Sequence, residues 1–517
     1  MQPLFRRPPS LPRWLFWAGL STLLGIAVLA ALTAWVLRPA HLRALVSDGL
    51  TRHLNLDATV AEISVSLVPR PRITGRGLTV RVPGRPDLPP FISIDRFSVD
   101  AGLFAVLRKH VGTVHADGLK ISVPPSGSRG SLSSGEAGEP TGVIVDHFVT
   151  HNAQLTFVPR NPARTPLMFA IHELNVRNIG FGGTMPFDAR LTNPIPMGLV
   201  TASGSIGPWN AEDGTRTALT GRYNFVDADL TTINGIGGTL DSTGEFTGNL
   251  EAIKVVGLAN VPNFSLDLGG RPLPLTSNFV AIVNGTDGTT ELENVDAVLV
   301  TTPLNVKGAI RNLPGPGNRH VELAVIVPDG RVEDLLALAL DTPKPVMVGD
   351  VMLKAKLTLP PGKERVRNRI ALSGSFGLID TKFTSSLVQD KLSEFSRRSQ
   401  GKKKEEPVER VMTDLSGTFA VAKSRVVLNG IKFQVPGATV RLNGTYGLAS
   451  ESLDFRGTLS MRATVSQAIG GFKSIFIKPF DGLFRRDGQG AVLPIRIIGT
   501  REKPEFKLEV GKIFKRD

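Results

Sequence analysis

The sequence predicts a mainly β chain carried on a single N-terminal transmembrane helix, with few helices elsewhere. Three features predict it: one uncharged apolar stretch near the start, repeated apolar/polar alternation after it, and abundant turn formers. Of 517 residues, 54 are Gly and 37 are Pro, which break helices and suit turns between short strands. With 41% hydrophobic residues the chain can supply a core, so disorder throughout is excluded. It has no cysteine, which rules out a disulfide framework, a zinc-thiolate site, an iron–sulfur cluster and a cysteine nucleophile.

The first element is Leu15 to Leu37, LFWAGLSTLLGIAVLAALTAWVL, which carries no charge. At helical rise it spans about 34 Å, enough for a bilayer core of about 30 Å. Trp14 and Trp17 flank one end and Trp35 the other, where amphipathic rings settle at the headgroups and anchor the helix. A cleaved signal is the competing reading, but its apolar core is about 7–15 residues. Cutting after Val28-Leu29-Ala30 would leave Ala31 to Leu37 still apolar. Arg6, Arg7 and Arg13 crowd the tail at residues 1–14, and the positive-inside bias places that tail in the cytoplasm. In a bacterium the bulk of the chain then lies in the periplasm, held to the inner membrane by one pass.

After the anchor, Ala40 to Leu54 reads as a short amphipathic helix, with Leu42, Leu45, Val46 and Leu50 at helical spacing. The period then drops to two. Ala61 to Leu67 alternates, with Ile63, Val65 and Leu67 apolar, and Gly77 to Val82 and Leu119 to Val123 follow suit. Near the C-terminus Ile431, Phe433 and Val435 precede a Pro436-Gly437 turn. Val440 and Leu442 follow, then Leu453, Phe455, Leu459 and Met461, all alternating with polar residues. Such meanders can leave one face solvated. The middle is richer in glycine, read as turns between short strand-like runs. Helices are expected at Arg331 to Leu340 with Asp329 as cap, at Ser385 to Ser399, and at Ser466 to Phe476. Pro124 to Pro140 and Gly401 to Glu406 are too polar to pack and read as loops.

No motif carries catalysis. His147 and His151 are four apart, but the intervening Phe148, Val149 and Thr150 lack the glutamate of a zinc-protease motif, and the flanks read as strand. Gly235 to Leu240 and Gly470 to Ser474 only begin or end like phosphate loops. There is no GxSxG elbow. The sequence therefore points to no catalytic residue, metal or cofactor. The net charge is +14. Its outlet is not nucleic acid, since Lys402 to Lys404 run straight into Glu405 and Glu406. Basic residues among apolar ones, with Lys473, Lys478, Arg485 and Arg486 near the end, suit anionic lipid headgroups or plain solubility.

Apolar strand faces must be buried, and few helices are available to cover them. The sheet either closes on itself as a sandwich or barrel, or curls into a trough that holds apolar guests. Periodicity leaves both open. The order of parts adds a resemblance: basic tail, one transmembrane helix, short helix, Leu67-Val68-Pro69, then Gly75 to Val80. The C-terminus adds Pro436-Gly437-Ala438, Gly444-Thr445-Tyr446 and Pro494-Ile495-Arg496-Ile497-Ile498-Gly499-Thr500 with Pro504 and Phe506. Together these resemble the AsmA family of bacterial envelope proteins at both ends, less so in the middle.

The resemblance implies an elongated, curled antiparallel β-sheet groove with a few short helices, similar to chorein-like bridge proteins that move lipids. It implies an AsmA-like N-terminal region at 38–123, the loop at 124–140, a central β region at 141–360 and an AsmA-like C-terminal region at 361–517. The family carries no catalytic motif. The expected lipid-facing wall is Ile431, Phe433, Val435, Val440, Leu442, Phe455, Leu459 and Met461, with Ile63, Val65 and Leu67 near the membrane. Membrane phospholipids are the expected partners. The alternative is a scaffold for outer-membrane or envelope proteins acting through strand edges. A third reading, an outer-membrane pore, fits least, because pore strands are evenly spaced at about ten residues and such proteins keep no uncleaved helical anchor.

Overall fold

The computed structural model describes residues 57–66, 72–81, 89–100, 110–123, 144–158, 166–180, 182–210, 214–267, 269–313, 319–362, 364, 366–402, 413–447, 450–462, 491–500 and 503–508. The anchor at 15–37 with Trp14, Trp17, Trp35, Arg6, Arg7 and Arg13 lies outside them. So do the helices expected at 40–54 and 466–476, the loop at 124–140, and Leu67. Among the described residues no helix is long and apolar enough to cross a membrane. Strand accounts for 73% of the described residues, and 24 strands belong to one sheet. Whatever the described part does is therefore done by sheet surface.

The chain divides into two compact units. The first, Met1–Val158 with Ala170–Asp188 and Gly207–Gly214, holds β1 (Asp57–Ser66), β2 (Arg72–Arg81), β3 (Ile92–Asp100), β4 (His110–Asp117), β5 (Lys120–Val123) and β6 (Ile144–Phe157). β1, β2 and β3 form an antiparallel meander, with Ala58 and Val80 packed against Leu78, Phe91 and Ile92. β3 pairs with β4 along one stretch and β5 along another. β6 runs parallel to both, a departure from the antiparallel expectation. A parallel return must travel back the length of a strand, which a tight turn cannot do, and β5 ends at Val123 while β6 begins only at Ile144. β7 (Leu167–Ile179) and β8 (Met185–Pro194) carry the chain across the division.

The second unit holds β9 (Met197–Ile206), β10 (Leu219–Asp229), the two-residue β11 (Ile236–Gly237), β12 (Thr239–Asn249), β13 (Ala252–Leu266), β14 (Leu273–Val283), β15 (Thr290–Leu299), β16 (Thr302–Asn312) and β17 (Arg319–Arg331). It continues with α1 (Val332–Ala337), β18 (Met347–Leu359), α2 (Val366–Arg369), β19 (Ala371–Phe383) and α3 (Ser386–Ser399). The last strands are β20 (Thr413–Ala422), β21 (Arg425–Val435), β22 (Ala438–Gly447), β23 (Ser452–Met461), β24 (Ala491–Thr500) and β25 (Pro504–Leu508). β11 pairs with β13 on its own; otherwise each strand is antiparallel to the next from β9 to β25.

Two expectations about local structure are corrected. The helix expected at Arg331 to Leu340 is only Val332–Ala337, and no side chain caps it. Asp329 stays with the strand, because β17 remains paired with β18 as far as Gly330 and Arg331. The middle glycines are not all turns: Gly221, Gly244 and Gly257 lie inside β10, β12 and β13, paired in register. The helix expected at Ser385 to Ser399 is α3.

Candidate functional site

In unit two the fully buried side chains gather where one end of each strand meets a helix. Leu273, Leu299 and Ala337 pack together, with Phe264, Leu304 and Leu335 against them. Val332, Val351 and Leu378 form the adjoining cluster, with Leu336, Met347 and Leu415. α1 supplies the cover. Asp334 fixes it there, its Oδ2 accepting from Thr302 Oγ1 and Thr301 Oγ1 at 2.9 Å and from the Thr301 N–H at 3.2 Å. Glu333 accepts from Arg331 Nε at 3.0 Å and from the Gly349 N–H at 3.2 Å. The Glu333 hydrogen bond, helped by the Glu333 and Asp350 charges, holds the Arg331 guanidinium above its ordinary value. Further along, Ser396 Oγ of α3 donates to the Pro436 carbonyl at 2.7 Å. This edge is a packed rim.

Away from the rim the same face is apolar and mostly only half-buried. One row of directly paired residues crosses it without a break. It runs from Ala202 through Tyr223, Gly244, Gly257, Phe279, Val295 and Val306 to Val325. It continues through Ala355, Gly374, Phe419, Leu428, Gly444 and Phe455 to Ile497. At strand spacing the row is roughly 65 Å long. Every member is half-buried except Gly257 and Phe455, which are buried. A second row, Gly308, Leu323, Leu357, Leu372 and Val421, lies beside it on the side away from the rim, also half-buried. A sandwich or barrel core would have closed these positions as the rim closes Leu299.

The glycines in this wall are matched to aromatics. Directly opposed pairs include Gly221 with Phe246, Gly257 with Phe279, Gly374 with Phe419 and Gly444 with Phe455. A Cβ on Gly221 would lie 2.6 Å from Phe246 Cζ, and one on Gly257 or Gly374 would lie 3.0 Å from its partner ring. The missing side chain lets each ring lie down across the neighbouring strand, the pairing by which aromatics support sheet glycines. A ring laid flat paves the wall instead of filling the space above it.

Polar groups on the apolar face are few. Tyr223 Oη and Ser242 Oγ are 3.0 Å apart, Ser242 also donates to the Leu258 carbonyl at 2.8 Å, and burial raises the Tyr223 phenol above its ordinary value. Arg319 stands on the same face as Val321 and Leu323, opposite Asn312 at the strand ends away from the rim. Burial pulls its guanidinium below the ordinary value, and among the described residues it has no ionic partner.

The residues expected in the wall divide between these environments. Ile431, Val435 and Met461 are buried, and Val435, Ala438 and Met461 are paired in the rim. Phe433, Val440, Leu442 and Leu459 are half-buried, joined by the pairs Phe433–Val440–Leu459 and Ile431–Leu442. Phe455 is buried, its ring over Gly444. In unit one Ile63 is buried opposite Gly75 and Val65 is half-buried. Sequence reading missed the longest stretch of wall, β12 to β20. Its signal was there in glycines recurring at the apolar positions of alternating runs. His147 and His151 lie on β6, exposed, and among the described residues no set of three His, Asp or Glu is placed to hold a metal. Comparison with protein-family models, curated proteins and solved structures found no match.

Proposed function

We propose that the protein is an inner-membrane-anchored, periplasmic binder or conductor of phospholipid, supporting envelope and outer-membrane biogenesis without catalysis. One observation carries the reading: an apolar row continuous over fifteen strands, all of whose members but Gly257 and Phe455 are only half-buried. A phospholipid leaving a bilayer exposes acyl chains at about 0.8 kcal/mol per CH₂. Two chains of about 16 carbons amount to roughly 25 kcal/mol, which prevents free diffusion. The wall supplies apolar contact for the chains, and its open side leaves the headgroup in water near Arg319. Anchor and orientation follow from the uncharged segment at 15–37 and Arg6, Arg7 and Arg13.

The test is lipid retention by the full-length protein purified in detergent and washed extensively. Mass spectrometry is expected to find phospholipid with the wild type, and substantially less with Leu357→Glu or Val325→Asp at nearly unchanged melting temperature. A wild type of normal stability that retains no lipid would refute the proposal. Silent wall substitutions combined with crosslinking from strand edges to envelope proteins would favour the scaffold instead.

A further inference from the structure

The opposite, polar face of β21–β25 carries cations placed directly against one another. Lys432 is paired with Arg441, Arg456 with Arg496, and Arg496 with Lys507. Directly paired residues project from one face with Cβ atoms about 4.5–5.5 Å apart, where like charges are destabilising. Local acids answer only part of this. Arg496 Nε and Nη2 each donate to Asp454 Oδ1 at 3.2 Å, and Lys507 Nζ lies 3.0 Å from Glu505. Lys432, Arg441 and Arg456 have no ion-pair partner among the described residues. The polar face of β12–β15 has the other sign, with Asp241, Glu245, Glu291, Glu293 and Asp296 against Lys254. Charge kept only for solubility has no reason to segregate along a sheet, nor to face its own kind.

We infer that the polar face of β21–β25 docks on an anionic lipid bilayer. Thr439, Asn443, Thr458 and Ser460 fill the positions between the cations, and such short side chains leave the guanidinium forks free to grip headgroup phosphates. Nucleic acid fits less well, because no described residue on this face offers an aromatic ring for base stacking. This surface is not the apolar wall, so its failure leaves the lipid-binding proposal standing.

The experiment uses the full chain held in nanodiscs of neutral lipid, so that its apolar N-terminal segment is already occupied. Capture is measured on phosphatidylcholine vesicles with and without one-third phosphatidylglycerol. The wild type is expected to bind the anionic vesicles selectively and to release them in about 0.5 M salt, where screening shortens to a few ångströms. At roughly fivefold per cation near a surface, K432Q/R441Q/R456Q weakens capture on the order of a hundredfold. Arg456→Gln alone, at an exposed position, weakens it about fivefold and serves if the triple variant fails to fold. Equal capture on both vesicles, unchanged capture by a folded variant, or equally tight binding of a short DNA duplex would overturn the assignment.

Discussion

At the rim of unit two Leu299 and Val327 are reduced to 1% exposure, whereas Val295 and Val325, a few residues away on the same strands, are only half-buried. The residue types do not differ, and the register is continuous. What differs is cover: α1 packs over the strand ends at Leu299 and Val351. The same alternating sequence thus builds a packed core at one end of the strands and a half-buried apolar face along the rest. An apolar side chain serves stability in the first place; in the second, the proposed function leaves it available for a guest.

The largest expected effect is at the rim. Leu299→Ala opens a cavity in a closed cluster and is expected to cost about 2–5 kcal/mol, read as a clear fall in melting temperature. Asp334→Ala comes next. It leaves the fully buried Thr302 hydroxyl without its carboxylate, at about 1–3 kcal/mol. Leu357→Ala in the wall removes a side chain that is already half-exposed, so about 1 kcal/mol or less is expected, with lipid retention falling out of proportion to stability. If Leu357→Ala destabilised as much as Leu299→Ala, the distinction between rim and wall would fail.

The smallest effect is on the polar face. His320 Nε2 lies 3.3 Å from Glu322, and its hydrogen bond, with help from Arg311, holds the Glu322 carboxyl below its ordinary value. Stability from this pair is therefore present above the ordinary carboxylate range and lost as pH falls through the lowered one. Glu322→Gln is expected to lower the melting temperature slightly at neutral pH, and the difference should vanish on acidification. A difference that grows in acid would contradict the sign.

Much of the fold is legible in the sequence because one-sided strands impose period two. The C-terminal meander appears with members of its expected apolar sets paired: Phe433 with Val440, Ile431 with Leu442, and Val440 with Leu459. Alternation states which face a residue occupies, not how far along the strand a helix will lie. Nothing in the run Ile431-Lys432-Phe433-Gln434-Val435 separates buried Ile431 and Val435 from half-buried Phe433. For Val435 that separation arises where Ser396 of α3 bonds to the carbonyl of the next residue, Pro436, a contact 40 residues distant. The parallel β6 was hidden for a similar reason, since strand direction depends on the path of the connection and not on the strand's own residues. The glycine-rich middle misled in another way. Glycine favours turns, but a glycine across from a phenylalanine is what allows the ring to lie flat, and only the register exposes that pairing.

The most direct test places a photoreactive benzoylphenylalanine at Leu357 or Val325 in the wall, at Leu299 in the rim, and at the exposed Thr243 on the polar face of β12, away from the cationic strands, in cells labelled with radioactive phosphate. Irradiation is expected to attach labelled phospholipid at Leu357 and Val325 and not at Leu299 or Thr243. Equal labelling at all four positions, or none in the wall, would contradict a guest-holding apolar face.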